Sequence, residues 1–359
     1  MLMPSRAVMA AIRCAVKSCL RPRGFALASR KTFREDAMIS RRVLLGSAGA
    51  LALGARPAAA QTYPTRPIRM IVPFPPGGPI DTMGRMVAND LSARLGQQVI
   101  VDNRPGAGST LGTKTAAAAE PDGYTLLFGS SGSLAVAPAL YTTLDVDPLK
   151  AFVPVAKVSL LPHVFVVSNE LPVKSVKEFI AYAKQHPGQL NYGAGLGTPP
   201  HLLSTLLKSK ADIDAVYVPY KGAAASITDL LANRVQFTID GLISLYPLIR
   251  DGKVRALAIA RGERWPTLPE VPTLVENGFP DFTIDAWTGV AAPAGTSAAI
   301  VTKLNAAIND GLAAPESKAT LAKFSAIADT GTPQAFGAFL AHEVPRWAAL
   351  VKLAGGKAE

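Results

Sequence analysis

Four glycine-bearing segments of this 359-residue chain could do chemistry with backbone alone. Pro73-Phe74-Pro75-Pro76-Gly77-Gly78-Pro79-Ile80-Asp81 joins an apolar run to a helical pattern. Glycines there let a ligand approach the backbone, and the free amides of a helix start can receive an anion without any Lys or Arg. Asp81 is placed to cap that helix by accepting its amides. Asn103–Gly112 (NRPGAGSTLG) misses the dinucleotide fingerprint G-x-G-x-x-G and lacks its acidic partner, so it is expected to line a cleft rather than hold a nucleotide. Tyr192–His201 (YGAGLGTPPH) sets Gly195, Gly197, Thr198 and His201 before a helix with proline in its first turn. Thr198 is a helix cap or a ligand hydroxyl, and His201 is a ligand contact or a structural histidine. Tyr220–Ser226 (YKGAAAS) places Lys221 at another helix start, facing an anion or solvated. Asp240 follows Phe237–Ile239, at a cleft edge or capping the next helix. A tight strand-to-helix turn would use the same residues without any ligand.

Catalytic and metal chemistries find no matching set. Cys14 and Cys19 are the only cysteines, and the four histidines (163, 186, 201 and 342) include no metal-spaced pair. Ser130, Ser131 and Ser133 form a serine cluster, but no G-x-S-x-G elbow surrounds them. With no nucleophile–base pair to name, the chain is not expected to be an enzyme, and no cofactor or metal is expected. Ser130 stays a candidate ligand hydroxyl.

The elements that must position these segments alternate. Ile68–Phe74, Val99–Asp102, Tyr124–Phe128, Val164–Val167, Asn191–Ala194, Val216–Val218, Phe237–Ile239 and Ala256–Ile259 carry strand-like apolar runs. Helical spacing covers Asp81–Leu95, Leu111–Ala119, Val176–Lys184, His201–Lys208, Ala223–Ala232, Ala298–Leu312 and Pro333–Leu353. Met83, Met86, Val87, Leu91 and Leu95 mark the apolar face of the first helix, and Gly96 marks its end. Strands alternating with helices predict an α/β architecture of mostly parallel sheets flanked by helices. The chain is long for one sheet, so two lobes are expected. Crossings at Leu161–Val167 and Phe282–Pro293 would make lobe 1 from 61–163 plus 287–359 and lobe 2 from 164–286, with a cleft between them for a small molecule.

Charge is unevenly placed. The formal charge is +11, but residues 1–60 hold 11 of the 37 basic and 2 of the 26 acidic residues, leaving 26 against 24 in the rest. That near-neutral body gives no general basis for binding nucleic acid or an anionic membrane. Ser40-Arg41-Arg42-Val43-Leu44-Leu45 opens a short apolar run that ends in Ala58-Ala59-Ala60 before Gln61. This is the pattern of a cleavable export signal, with the arginine pair of a twin-arginine signal and cleavage near Ala60/Gln61. Met38 precedes it by two residues, so 1–37 reads as a leader or a mis-assigned start. Removal of 1–60 would also remove both cysteines.

Taken together, Ile71–Asp81 (IVPFPPGGPID), Asp102–Gly112 (DNRPGAGSTLG), Pro121–Leu127 (PDGYTLL), Val218–Leu231 (VPYKGAAASITDLL), Leu268–Pro272 (LPEVP), Trp287 and Ala292–Thr296 (APAGT) span the mature chain. The sequence in this way resembles the tripartite tricarboxylate transporter receptors, the Bug-type periplasmic solute-binding proteins. The resemblance implies a two-lobed, type II-like periplasmic binding fold that closes around a small carboxylate. It implies ligand binding by Pro76, Gly77, Gly78 and Asp81 in the first lobe and by Gly195, Gly197, Thr198, His201 and Asp240 in the second. Lys221 and Ser130 join them as candidates from their own positions. The implied partners are the small carboxylate and the membrane subunits of a tripartite transporter, with no nucleic acid and a monomeric receptor. Presentation of ligand to a sensor kinase is the alternative. Thr198-Pro199-Pro200 and Gly241-Leu242-Ile243 depart from the family pattern, which bears on the identity of the ligand.

Overall fold

The computed structural model describes residues 63–141 and 145–356. The export signal read at 40–60, and the leader before it, lie outside the described residues. The strands are β1 (Ile68–Val72), β2 (Val99–Asn103), β3 (Thr125–Ser130), β4 (Phe152–Leu161), β5 (His163–Ser168), β6 (Leu190–Gly195), β7 (Ala215–Tyr220), β8 (Phe237–Gly241), β9 (Val254–Ile259), β10 (Ala286–Pro293) and β11 (Ile327–Ala328). The helices are α1 (Pro79–Leu95), α2 (Thr110–Ala117), α3 (Ala137–Leu140), α4 (Pro148–Ala151), α5 (Val176–Gln185), α6 (Pro199–Ala211), α7 (Ala223–Leu231), α8 (Leu242–Arg250), α9 (Ala298–Ala313), α10 (Pro315–Ala322) and α11 (Pro333–Leu353).

Two sheets form. One has the order β11-β4-β10-β3-β1-β2 and the other β7-β6-β8-β5-β9. They give the two-lobed α/β fold its two halves. β1 is apolar except for the half-buried Arg69, with Ile68, Met70, Ile71 and Val72 all fully buried, as suits a strand between two parallel neighbours. Met83, Val87 and Leu91, spaced by four, lie buried on α1, and Gly96 closes that helix in the left-handed conformation. Phe179 of α5 packs on the second sheet, where it meets Phe165 of β5 and Phe237 of β8 edge to face, the three centroids 4.9–6.1 Å apart.

The sheets are mixed, not mostly parallel as the alternating pattern predicts. β1–β2, β1–β3, β6–β7 and β6–β8 are parallel. The pairings of β10 with β3 and β4, of β11 with β4, and of β5 with β8 and β9 are antiparallel. The antiparallel strands are those next to the crossings. β4 belongs to the first sheet and β5 to the second with only Pro162 between them, and β10 enters the first sheet after the chain leaves the second. A strand that arrives from the other lobe is not delivered by a βαβ crossover, so the parallel rule does not bind it.

β4 escapes the sequence because Pro154 lies inside it, and proline in a run argues against a central strand. The pairing with β10 absorbs it by a bulge. Val290 faces Ala156 while the next residue, Ala291, faces Pro154, leaving Val155 as the extra residue.

Candidate functional site

The loop before α1 is built around Asp81. This residue sits third in the helix, buried, and its Oδ2 accepts the Gly77 amide at 2.8 Å and Arg85 Nε at 2.9 Å. Its Oδ1 accepts Asn103 Nδ2 at 2.8 Å, and the same Nδ2 lies 3.1 Å from the Phe74 carbonyl oxygen. Arg85 closes the net by donating to Asn103 Oδ1 at 2.8 Å. Burial pushes the Asp81 carboxyl up, but the hydrogen bonds from Arg85, Gly77 and Asn103 outweigh it and hold the group below the usual carboxylate range. Asp81 therefore does not cap the first-turn amides, as its position suggests. It pins the Gly77 amide, at φ +84°, so that amide is taken and the open donors are those of Ile80 and Asp81 in the first turn of α1.

The loop before α6 repeats this arrangement in the other sheet. Gly197, at φ +69°, donates its amide to His201 Nδ1 at 3.2 Å, again four residues on and again third in the helix. Both helices start with proline, Pro79 and Pro199. His201 is buried, stacks on Tyr217 at 4.1 Å, and has its pKa lowered by burial. Accepting at Nδ1 puts its ring proton on Nε2, so it is a neutral anchor rather than a cation. Thr198 occupies the helix-cap position without capping, because its Oγ1 donates to the Gly195 carbonyl at 2.7 Å.

Between these loops lies a cavity of about 360 Å³, within the size range of small-molecule sites. The first lobe supplies Pro73–Pro75, Pro105, Gly106, Gly108 and Ser109, and the segment from Gly132 through Val136, Ala137 and Leu140 to Tyr141. The second lobe supplies Leu196–Pro199. Ala107 and Ser109 hold positive φ, 44° and 76°, so the 106–109 wall is a strained backbone of the kind found where a loop is shaped for binding. A Cβ on Gly197 would overlap Leu140, which makes this glycine one of the places where the lobes touch.

Of the residues singled out in the sequence, Gly197 and Thr198 line the cavity. Gly195 joins them through Thr198, while Asp81 and His201 stand behind the walls. Pro76 and Gly77 are exposed and Gly78 is half-buried, all three outside the lining. Ser130 is absorbed in the turn after β3, where its amide donates to Ser133 Oγ at 2.8 Å and its Oγ lies 3.4 Å from the Ser133 amide. Lys221 is exposed and outside the lining. Asp240 is buried at the end of β8, away from the lining, accepting the Gly241 amide at 2.6 Å, and burial pushes its carboxyl up to about 6 against that bond. Sequence reasoning missed Leu140 and Tyr141. The run Leu134–Leu140 after β3 was the available signal, but a π-helical turn over Gly132–Val136 gives it no regular period.

Residues 83–355 match the model of the tripartite tricarboxylate transporter family receptor. The chain belongs to that family. This receptor is 40% identical over 308 residues to the protein BugT of Bordetella pertussis, covering 84% of this chain and 94% of BugT. Its fold matches the periplasmic binding protein BugD at 35% identity and a TM-score of 0.66, over 83% of this chain and 100% of BugD. It also matches Rpa4515 of R. palustris, solved with adipate, at 36% identity and a TM-score of 0.69, over 82% of this chain and 98% of that one. The receptor thus shares its two-lobed fold with periplasmic solute-binding proteins, one of which holds a carboxylate.

Proposed function

We propose that this receptor is an exported solute-binding protein that captures a small carboxylate between its lobes and delivers it to a membrane transporter of the tripartite tricarboxylate type. One observation carries the proposal. Two loops of the same build, one from each sheet and each leading into a proline-started helix, contribute Pro73–Pro75 and Leu196–Pro199 to the wall of a single cavity. A carboxylate between them would accept first-turn amides of α1 and α6 and meet the positive ends of both helix dipoles. Those contacts exist together only when the lobes are closed, so ligand would shift the receptor toward the closed state. The adipate held by a 36% identical relative supports the ligand class.

The lobes are 61–163 with 287–359 and 164–286, hinged at Pro162 and at the return before β10. The receptor acts as a monomer in the periplasm after removal of 1–60 at Ala60/Gln61 through the twin-arginine route. Replacing Arg41 and Arg42 by lysine should block export by that route, and unimpaired export of the double variant would assign it to another.

The binding function is tested by thermal unfolding with a panel of carboxylates. A ligand at 100 times its dissociation constant adds about 2.7 kcal/mol of stability. The expected result is an upward shift of Tm with at least one carboxylate, and no shift with any of them would refute the function.

A further inference from the structure

The proposed function puts the ligand carboxylate at the starts of α1 and α6. The rest of the wall is apolar, with Phe74, Pro75 and Pro105 on one side, Val136 and Leu140 on another, and Leu196 from the second lobe. None of the lining side chains carries a charge. The neighbouring cations are already engaged. Arg104 is forked onto both Asp102 oxygens at 3.0 Å, and Arg85 is held by Asp81 and Asn103.

The hydroxyls of the wall are mostly spent as well. Thr198 donates to Gly195 O and Ser109 to Gly108 O. Tyr141 is the remaining hydroxyl, packed against Gly108. A second carboxylate against this wall would find no charged side chain and only the Tyr141 phenol among the side-chain hydroxyls, and a buried carboxylate without strong partners is among the most costly groups to desolvate. An apolar body would instead remove Phe74, Leu140 and Leu196 from water, at about 25 cal/mol per Å² of apolar surface. Leu196 gives this most room, since it is 56% exposed on the loop that also bears Gly197.

We infer that the receptor's ligand is a monocarboxylate with an apolar body, its carboxylate at the two helix starts and its hydrocarbon end against Phe74, Leu140 and Leu196. The inference rests on the proposed binding function and narrows it, because it departs from the dicarboxylate held by the relative solved with adipate.

Hexanoate and adipate form a matched pair, six carbons each, differing by the second carboxylate. Titration calorimetry of the purified protein with both, and with hexanamide as the uncharged counterpart, separates the possibilities. Hexanoate should bind at least about tenfold tighter than adipate, the ratio that ~1.4 kcal/mol of unrecovered desolvation sets. Hexanamide should bind far more weakly than hexanoate. Leu196→Arg, at an exposed position that leaves folding intact by circular dichroism, should reverse the order in favour of adipate. Adipate binding as tightly as hexanoate or tighter in the unaltered protein overturns the inference and leaves carboxylate binding standing. Hexanamide equal to hexanoate, or no binding by any carboxylate, removes the proposed function and the inference with it.

Discussion

Asp81 and His201 do the same work with different chemistry. Each is the third residue of a proline-started helix and takes the amide of a left-handed glycine four residues back, Gly77 or Gly197. Replacing Asp81 by Ala would leave Gly77, Arg85 and Asn103 without their acceptor, so a loss of about 1–3 kcal/mol is expected in urea unfolding at pH 7. Because the folded-state pKa of Asp81 is lowered, its contribution is complete above the unfolded value and fades as pH falls through the folded one. The difference between wild type and Asp81→Ala should therefore shrink under strong acid, and a constant difference down to pH 2 would contradict the assignment. Gly78 is different. A side chain there meets only the Pro75 carbonyl, at 3.8 Å, so Gly78→Val should stay folded yet bind carboxylate much more weakly by blocking approach to the helix start. An unchanged affinity would take that loop out of the site. The spacing of Asp81 and His201 from their glycines is visible in the sequence. Which amide each accepts is not, because the positive φ of Gly77 and Gly197 turns that amide inward, and only the folded loop fixes it.

At the scale of elements, β5 and β8 lie side by side and bury two groups with opposite pH behaviour. Asp240, opposite Val164 in the ladder, has its carboxyl pushed up to about 6, chiefly by burial. A raised carboxyl destabilises the fold when ionised, so stability falls as pH climbs from the unfolded carboxylate value near 4 through 6. Asn at 240 keeps an acceptor for the Gly241 amide without the charge. Asp240→Asn should add on the order of 2–3 kcal/mol at pH 8 and nothing near pH 4, as read by urea unfolding. His163, opposite Gly241, is fully buried and its pKa is lowered to about 4, so its effect has the other sign. The neutral ring is favoured by the fold, and stability falls as pH drops from about 6.5 toward 4. Gly197 tests the contact between the lobes. Ala there would combine a left-handed φ of 69° with overlap on Leu140, and should lower stability by about 1–3 kcal/mol while weakening ligand binding. A variant with wild-type affinity would show that Leu140 and Gly197 do not hold the lobes together. Strands β1–β3 and β5–β9 and helices α1, α2, α5, α6, α7, α9 and α11 were legible from their apolar runs and helical spacing. β4 and the nine-residue α8 were not, because Pro154 and Pro247 interrupt short patterns, whereas the 21-residue α11 keeps its period across Pro345.

For the whole molecule, two lobes and a cleft between them follow from length and from the alternation of strands and helices. The mixed sheets do not, since the direction of β5 and β10 is set by the passage of the chain from one lobe to the other rather than by any local pattern. The apolar half of the cavity was also hidden. Leu140 and Leu196 are far apart in the chain and become neighbours only when the two loops meet across the cleft. The +11 formal charge, in contrast, is a property of the whole chain that the described lobes do not share, because most of the excess lies before Gln61. The decisive measurement is a crystal structure of the receptor with a bound carboxylic acid. Its carboxylate is predicted to lie between the starts of α1 and α6, within hydrogen-bond distance of first-turn amides from both lobes. A ligand bound on one lobe alone, or one whose carboxylate is held away from both helix starts, would contradict the account.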